Sequence, residues 1–208
     1  MRKIVEKVPD DILMADLERY RQEAIKLGAT DAKIISSSEI IIDERVLMKC
    51  LYPKCPFYGT NVNCPPYAAK PQEMRDVINK YRYAIFFTIQ GSAETVAGPR
   101  DVRRRAAVKL TEITARLEAR AFYDGYYLSL GFAAGACKGL FCSDKECSAL
   151  KPGQACSQEL KARGSLESIG IDAYLMAAKF GWDIYPCGRS TKVEDVPLGR
   201  RVGLVLIY

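Results

Sequence analysis

The eight cysteines are the residues of this chain whose spacing is regular enough to do chemistry. Cys50, Cys55 and Cys64 are separated by four and then eight residues, and Cys142, Cys147 and Cys156 repeat those intervals. Cys137 stands one further four-residue step before the second triplet, and Cys187 lies alone near the end. Thiolates are soft ligands that select zinc, copper(I) or iron–sulfur clusters. A cuboidal 4Fe–4S cluster takes four cysteines, so eight divide into two sets without remainder. Cys137, Cys142, Cys147 and Cys156 form one expected set. Cys50, Cys55 and Cys64 form the other, with Cys187 the only cysteine left to complete it.

Rival chemistries are weaker on the same residues. The chain has no histidine, which removes mixed Cys/His zinc sites, imidazole acid–base catalysis and Ser-His-Asp or Cys-His nucleophiles. Four-cysteine zinc sites usually contain pairs two to four residues apart, and no C-x2-C occurs here. Zinc is the alternative metal, with the x4 pairs at the edge of its range. A cysteine nucleophile would lack a base. A disulfide framework belongs to oxidising compartments and to chains too small to build a core. The intervals also depart from the bacterial and plant-type ferredoxin patterns, so the cluster type rests on cysteine count and ligand chemistry.

The surrounding composition is that of a soluble globular protein. Of 208 residues, 49% are hydrophobic and 27% charged, which fits one α/β or α+β domain spanning residues 1–208. The N-terminal MRKIVEKVPDD lacks the apolar region of a secretory signal, and no run of about 18 apolar residues occurs. A cytoplasmic location without membrane contact is the expectation. The formal charge is +6. Two clusters, each about −2 with its four thiolates, would leave the holoprotein near +2, so the basic balance is poor evidence for nucleic acid.

The elements that must position the cysteines follow from periodicity and turn residues. A helix is expected over 10–28, capped by Asp10 or Asp11 and stopped at Gly28. Strands are expected at 32–36 and 39–49, the second delivering Cys50. The loop 50–67 is rich in Pro, Gly and Asn and needs a central group to order around. A helix over 71–81 and the nearly all-apolar strand 83–90 would complete a βαβ unit with the cysteine loop at its C-terminal edge, where open α/β sheets bind ligands.

A long helix over about 99–130 carries an apolar stripe from Val102 to Ala121, with Phe122, Tyr123, Tyr126 and Tyr127 as packing aromatics. The run Arg100 to Arg105 reads as a solvated helix face before it reads as an anion patch. GFAAGACKG (131–139) lacks the order of a phosphate loop, and its small residues let backbone approach a metal centre. The second cysteine loop, 135–164, precedes a helix over 165–180 capped by Ser165, then strands at 182–187 and 201–208. The sum is a mixed β-sheet flanked by helices, with two cysteine-rich metal-binding loops.

KCLYPKCPFYGTNVNCPPY, DGYYLSLGFAAGACKGLFC, CSQELKARGSLESIGIDAY and the terminal GLVLIY resemble a widespread prokaryotic family of unknown function, from about residue 45 to the end. Its members are described as predicted metal-binding proteins, cysteine-rich with a CPP loop, and are common in methanogens and other anaerobes. The resemblance implies a metal or iron–sulfur protein and assigns no reaction. Cys187 is not part of that family's pattern.

Three functions follow as expectations. The first is electron transfer or a redox accessory role with two 4Fe–4S clusters, its partner another redox protein or oxidoreductase. The second is an iron–sulfur enzyme whose N-terminal cluster, held only by Cys50, Cys55 and Cys64, has an open coordination position. The third is a zinc-folded interaction module. Arg163, Lys138, Tyr58 and Tyr67 lie near cysteines and either tune the centres or pack at the surface. The aromatic-rich segments leave room for a homodimer.

Overall fold

The computed structural model describes all 208 residues, Met1–Tyr208. Five strands form one mixed sheet: β1 (Asp31–Ser36), β2 (Tyr83–Gly91), β3 (Leu130–Ala133), β4 (Gly164–Ser165) and β5 (Gly199–Leu206). Their order is β1-β2-β5-β3-β4. The last strand of the chain therefore occupies the centre, antiparallel to β2 on one side and to β3 on the other. Only the short β3–β4 pair is parallel.

Seven helices flank the sheet: α1 (Asp10–Lys26), α2 (Glu44–Leu51), α3 (Pro71–Ile78), α4 (Glu94–Ala97), α5 (Arg100–Tyr123), α6 (Cys137–Phe141) and α7 (Ala173–Lys179). Side-chain alternation divides the core in two. Ile85 and Phe87 of β2 and Val205 of β5 pack with Leu17 and Tyr20 of α1 and Leu110 and Leu117 of α5. Ala84, Phe86, Leu204 and Leu206 point the other way, onto Met74 and Ile78 of α3 and Met176 and Ala177 of α7. The apolar run of β2 is thus covered on both faces, as its sequence predicts. No helix is long and apolar enough to cross a membrane.

Several expected elements differ, for local reasons. Residues 39–49 are not a strand. Ser36 and Glu39 close a capping box: Ser36 Oγ accepts from the Ser38 amide at 3.3 Å, and Glu39 Oε2 accepts from the Ser36 amide at 2.9 Å. Asp43 then caps α2, accepting from the Arg45 amide at 2.8 Å. The apolar Ile40–Ile42 between them runs extended beside residues 170–172, with Ile42 bridged to Ile171. β1 and β2 are antiparallel, so no βαβ unit forms.

The expected helix 165–180 is interrupted at Gly170, which adopts φ +87° and where a Cβ would lie 2.8 Å from Pro71 Cγ. Ser165 caps no helix: Leu166 heads a 3-10 turn at Glu167–Ile169, with Ser165 Oγ accepting from the Ser168 amide at 3.1 Å, and Asp172 caps α7 by accepting from the Leu175 amide at 2.9 Å. Helix α5 stops at Tyr123 rather than near 130, because Gly125 turns the chain at φ +98° into β3. Of the aromatics at and beyond its end, Tyr126 is buried, whereas Phe122, Tyr123 and Tyr127 are exposed. Residues 182–187 join no strand ladder; Trp182 instead stacks on Phe86 and donates to Asp31 at 2.8 Å.

A buried polar knot fixes α1 to the rest. Asp16 accepts from Tyr126 Oη at 2.7 Å, from Arg19 at 2.6 Å and from Arg2. Burial alone would push this carboxyl up, but the bonds from Arg2, Tyr126 and Arg19 outweigh it and hold it below the usual carboxylate range. A depressed folded-state value gives stability that is present above the unfolded value near pH 4 and lost as pH falls through the folded one. Asp16→Asn is therefore expected to cost about 2 kcal/mol at pH 7, with the gap to the parent narrowing below about pH 4. Urea unfolding across pH 2–7 measures both.

Candidate metal centre

The first cysteine loop starts on α2. Cys50 lies in the last turn of that helix, and its carbonyl accepts from the Cys55 amide at 2.9 Å. Further turn bonds wind the segment: Tyr58 to Cys55 at 3.0 Å, Gly59 to Pro65 at 2.8 Å, Cys64 to Asn61 at 3.3 Å and Tyr67 to Cys64 at 3.1 Å. The loop has no strand or long helix of its own, as its prolines and glycine predict. Cys50, Cys55 and Cys64 stand near enough to influence one another electrostatically. Burial pushes the Cys50 and Cys64 thiols up.

The second loop starts at the end of β3. Cys137 opens α6 and is buried; Cys142 follows the helix directly. Lys138 Nζ donates to the Cys142 carbonyl at 2.9 Å and to that of Lys145, drawing the turn together. Ser148 holds the far side, its hydroxyl donating to Ala155 at 2.8 Å and accepting from the Ser157 amide at 3.0 Å. Arg104 of α5 donates to the Leu140 carbonyl at 3.0 Å, so this member of the arginine run is structural. Arg163 closes the loop with a two-pronged ion pair to Glu118 of α5, at 2.9 Å for each contact. That contact settles Arg163 as an anchor. Lys54 lies over the Tyr58 ring, and Tyr67 is exposed.

Cys137, Cys142, Cys147 and Cys156 line one tight cavity together with Asn61 and Asn63 of the first loop. Burial pushes the Cys137 thiol up to about 11, with Asn63 opposing it through a hydrogen bond. Two N–H groups already point at sulfur: Asn63 Nδ2 to Cys137 Sγ at 3.4 Å and the Gln158 amide to Cys156 Sγ at 3.4 Å. Cys137 Sγ in turn lies 3.5 Å from Asn61 Oδ1. Phe57 packs where a Cβ on Gly139 would meet its ring at 2.7 Å, a second clasp between the loops. Cys64 and Cys137 are close enough to interact, so the two thiol groups are neighbours.

Cys187 is set apart. It borders a broad cavity of about 970 Å³ whose lining also includes Cys50. Burial pushes its thiol up, and Arg201 opposes the shift. All eight cysteines are unpaired by disulfides. As the side chains lie, no three Cys, Asp or Glu groups converge closely enough to hold a single metal ion. The donor set still suits a thiolate-bound group: four cysteines face one cavity, with amide donors on the sulfurs and a lysine beside them. Without such a group, the buried thiols would stay protonated at neutral pH and make poor nucleophiles.

The sequence reading missed Asn61 and Asn63. Asn61 is 1% exposed within a loop of turn residues, a burial that composition does not announce.

No curated protein and no solved structure matches the chain. A family model does match, over residues 33–207, and its range includes all eight cysteines and every strand but the start of β1. The chain belongs to the family of predicted metal-binding proteins DUF2284.

Proposed function

We propose that the protein carries two 4Fe–4S clusters and serves electron transfer, as a redox accessory protein in anaerobic metabolism with an oxidoreductase partner. The observation that carries this reading is the sorting of the cysteines into two neighbouring groups. One is Cys137, Cys142, Cys147 and Cys156 around a shared cavity; the other is Cys50, Cys55 and Cys64. The bonds from Asn61 and Asn63 of the first loop to Cys137 of the second bring the two groups side by side, which supports passage between centres. A four-cysteine zinc site would bring its sulfurs to about 3.8 Å of one another, given Zn–S bonds of about 2.3 Å. Iron–sulfur clusters supply one-electron redox chemistry at potentials set by hydrogen bonds to sulfur and by exposure. Asn63 and the Gln158 amide are the groups of this chain that would set them. The CPP turn after Cys64 shapes the first loop around its centre.

A specific observation favours a second reading of the N-terminal group. Cys187 lines one cavity with Cys50 and a second with Arg201, so a cluster held by Cys50, Cys55 and Cys64 alone would have one iron open to that space. In that reading the protein is an enzyme, with Cys50, Cys55 and Cys64 as ligands and Cys187 on the wall of the adjoining cavity. Cys187→Ser separates the two. The open-site reading expects unchanged iron, whereas loss of about four irons per chain would establish Cys187 as the fourth ligand. The redox role itself is tested by electron paramagnetic resonance of the anaerobically purified protein. Dithionite should elicit signals of reduced clusters, and a silent spectrum from iron-loaded protein would rule out the electron-transfer role.

A further inference from the structure

The cavity beside Cys187 has a second, smaller lobe of about 240 Å³, bordered by Arg103, Arg201, Tyr174, Ile184 and Val202. It shares Glu167, Ala173, Tyr174 and Cys187 with the larger lobe that reaches Cys50. Three arginines line this small cavity; Arg200 is taken up by Asp183, Thr88 and Gln90, whereas Arg103 disfavours the charge on Arg201. None of the ion pairs of the chain involves Arg103, Arg201 or Glu167. Glu167 lines the same lobe, and burial pushes its carboxyl up, which weakens its charge there.

Arg201 is held in place without being satisfied. It donates from Nη2 to the Thr95 carbonyl at 3.0 Å, and its Nε is buried with no acceptor. An orphaned buried donor of this kind costs about 1–3 kcal/mol, a cost that a bound acceptor removes. Arg201 also borders a cavity on its other side, lined by Arg105 and Lys109. The ionisable side chains that bear on its guanidinium, Glu167 and then Arg103, Tyr174 and Cys187, all line the smaller lobe. Arg201 therefore lines both cavities, with Nη2 turned to Thr95 on the wall of the first and its charge facing Glu167 on the smaller lobe.

We infer that this lobe binds a small organic carboxylate. Arg201 and Arg103 would take the carboxylate, Tyr174 would border its edge, and the apolar Ile184 and Val202 would cover a short hydrocarbon body. Arginine matches a carboxylate with parallel N–H donors, and the half-apolar lining disfavours a fully hydrated inorganic ion. The occupant would lie between the arginine pair and the wall that leads to Cys50, so the site is a substrate or effector position next to the N-terminal thiols. The inference does not depend on which metal those thiols hold.

Isothermal titration calorimetry of the anaerobically purified, metal-containing protein tests it with butyrate, its neutral isostere butyramide, and inorganic phosphate. Saturable butyrate binding is expected, with butyramide silent and phosphate weaker. Arg201→Gln and Arg103→Gln should each weaken butyrate binding roughly tenfold or more. Arg103 is exposed, so its variant keeps the test decisive if Arg201→Gln fails to fold. Absence of butyrate binding, equal binding of butyramide, tighter binding of phosphate, or unchanged binding by Arg103→Gln would each overturn the assignment.

Discussion

Replacing Cys137 with serine is expected to halve the iron and acid-labile sulfide of the anaerobically purified protein, from about eight of each per chain to about four. Cys137 is buried at the head of α6, receives a hydrogen bond from Asn63 and faces the cavity it shares with Cys142, Cys147 and Cys156. Serine is close in volume to cysteine, so packing changes little and the loss isolates ligation. The second loop contains only a one-turn helix and a 3-10 turn between β3 and β4, and Lys138, Ser148 and Arg163 hold it at its ends. Metal binding is coupled to the ordering of such segments, so the variant should also lose protection from proteolysis between residues 142 and 162. Iron retained at the parent level would show that Cys137 is not a ligand.

Gly203→Val is expected to destabilise the fold by about 3 kcal/mol or more, and to leave little folded protein at 37 °C if the parent stability is ordinary. Gly203 sits in the middle of β5, the central strand, opposite Phe87 of β2. A Cβ there would lie 2.5 Å from Phe87 Cζ and 3.0 Å from two further ring atoms. Phe87 cannot yield, since it is fully buried among Tyr20, Leu110 and Leu117 of the α1–α5 core. Valine adds two methyl groups to that clash. Denaturant unfolding measures the change, and a loss below about 1 kcal/mol would mean that the ring and the core around it repack easily.

The parts of this fold that the sequence made legible are those with a long, single-period signal. Strand β2 reads as covered on both faces because Ala84 to Phe87 is unbroken apolar sequence with Ile89 beyond Thr88, and α1 and α5 read from their stripes. The segment 39–49 did not, because three isoleucines in a row suit a strand as well as an extended edge. The deciding signals were polar: Ser36 with Glu39, and Asp43 before Glu44, both caps that start helical turns. Gly170 likewise divided an apparently continuous helix through a backbone geometry that only the packing of Pro71 explains.

At the site, the spacing from Cys137 to Cys156 placed four thiols on one cavity because they lie within a single loop. The junction between loops was beyond sequence reading. Asn63 and Cys137 are 74 residues apart, and nothing in either segment names its partner. Arg201 was hidden for a different reason: in a terminal strand its charge reads as an edge, while the sheet places it beside a cavity at the centre.

Iron, acid-labile sulfide and zinc per chain, measured on protein purified without oxygen, test the two-cluster reading most directly. About eight irons and eight sulfides, with zinc absent, are expected from two 4Fe–4S clusters on the eight cysteines. Stoichiometric zinc without sulfide would contradict it, and would make both cysteine loops structural zinc sites.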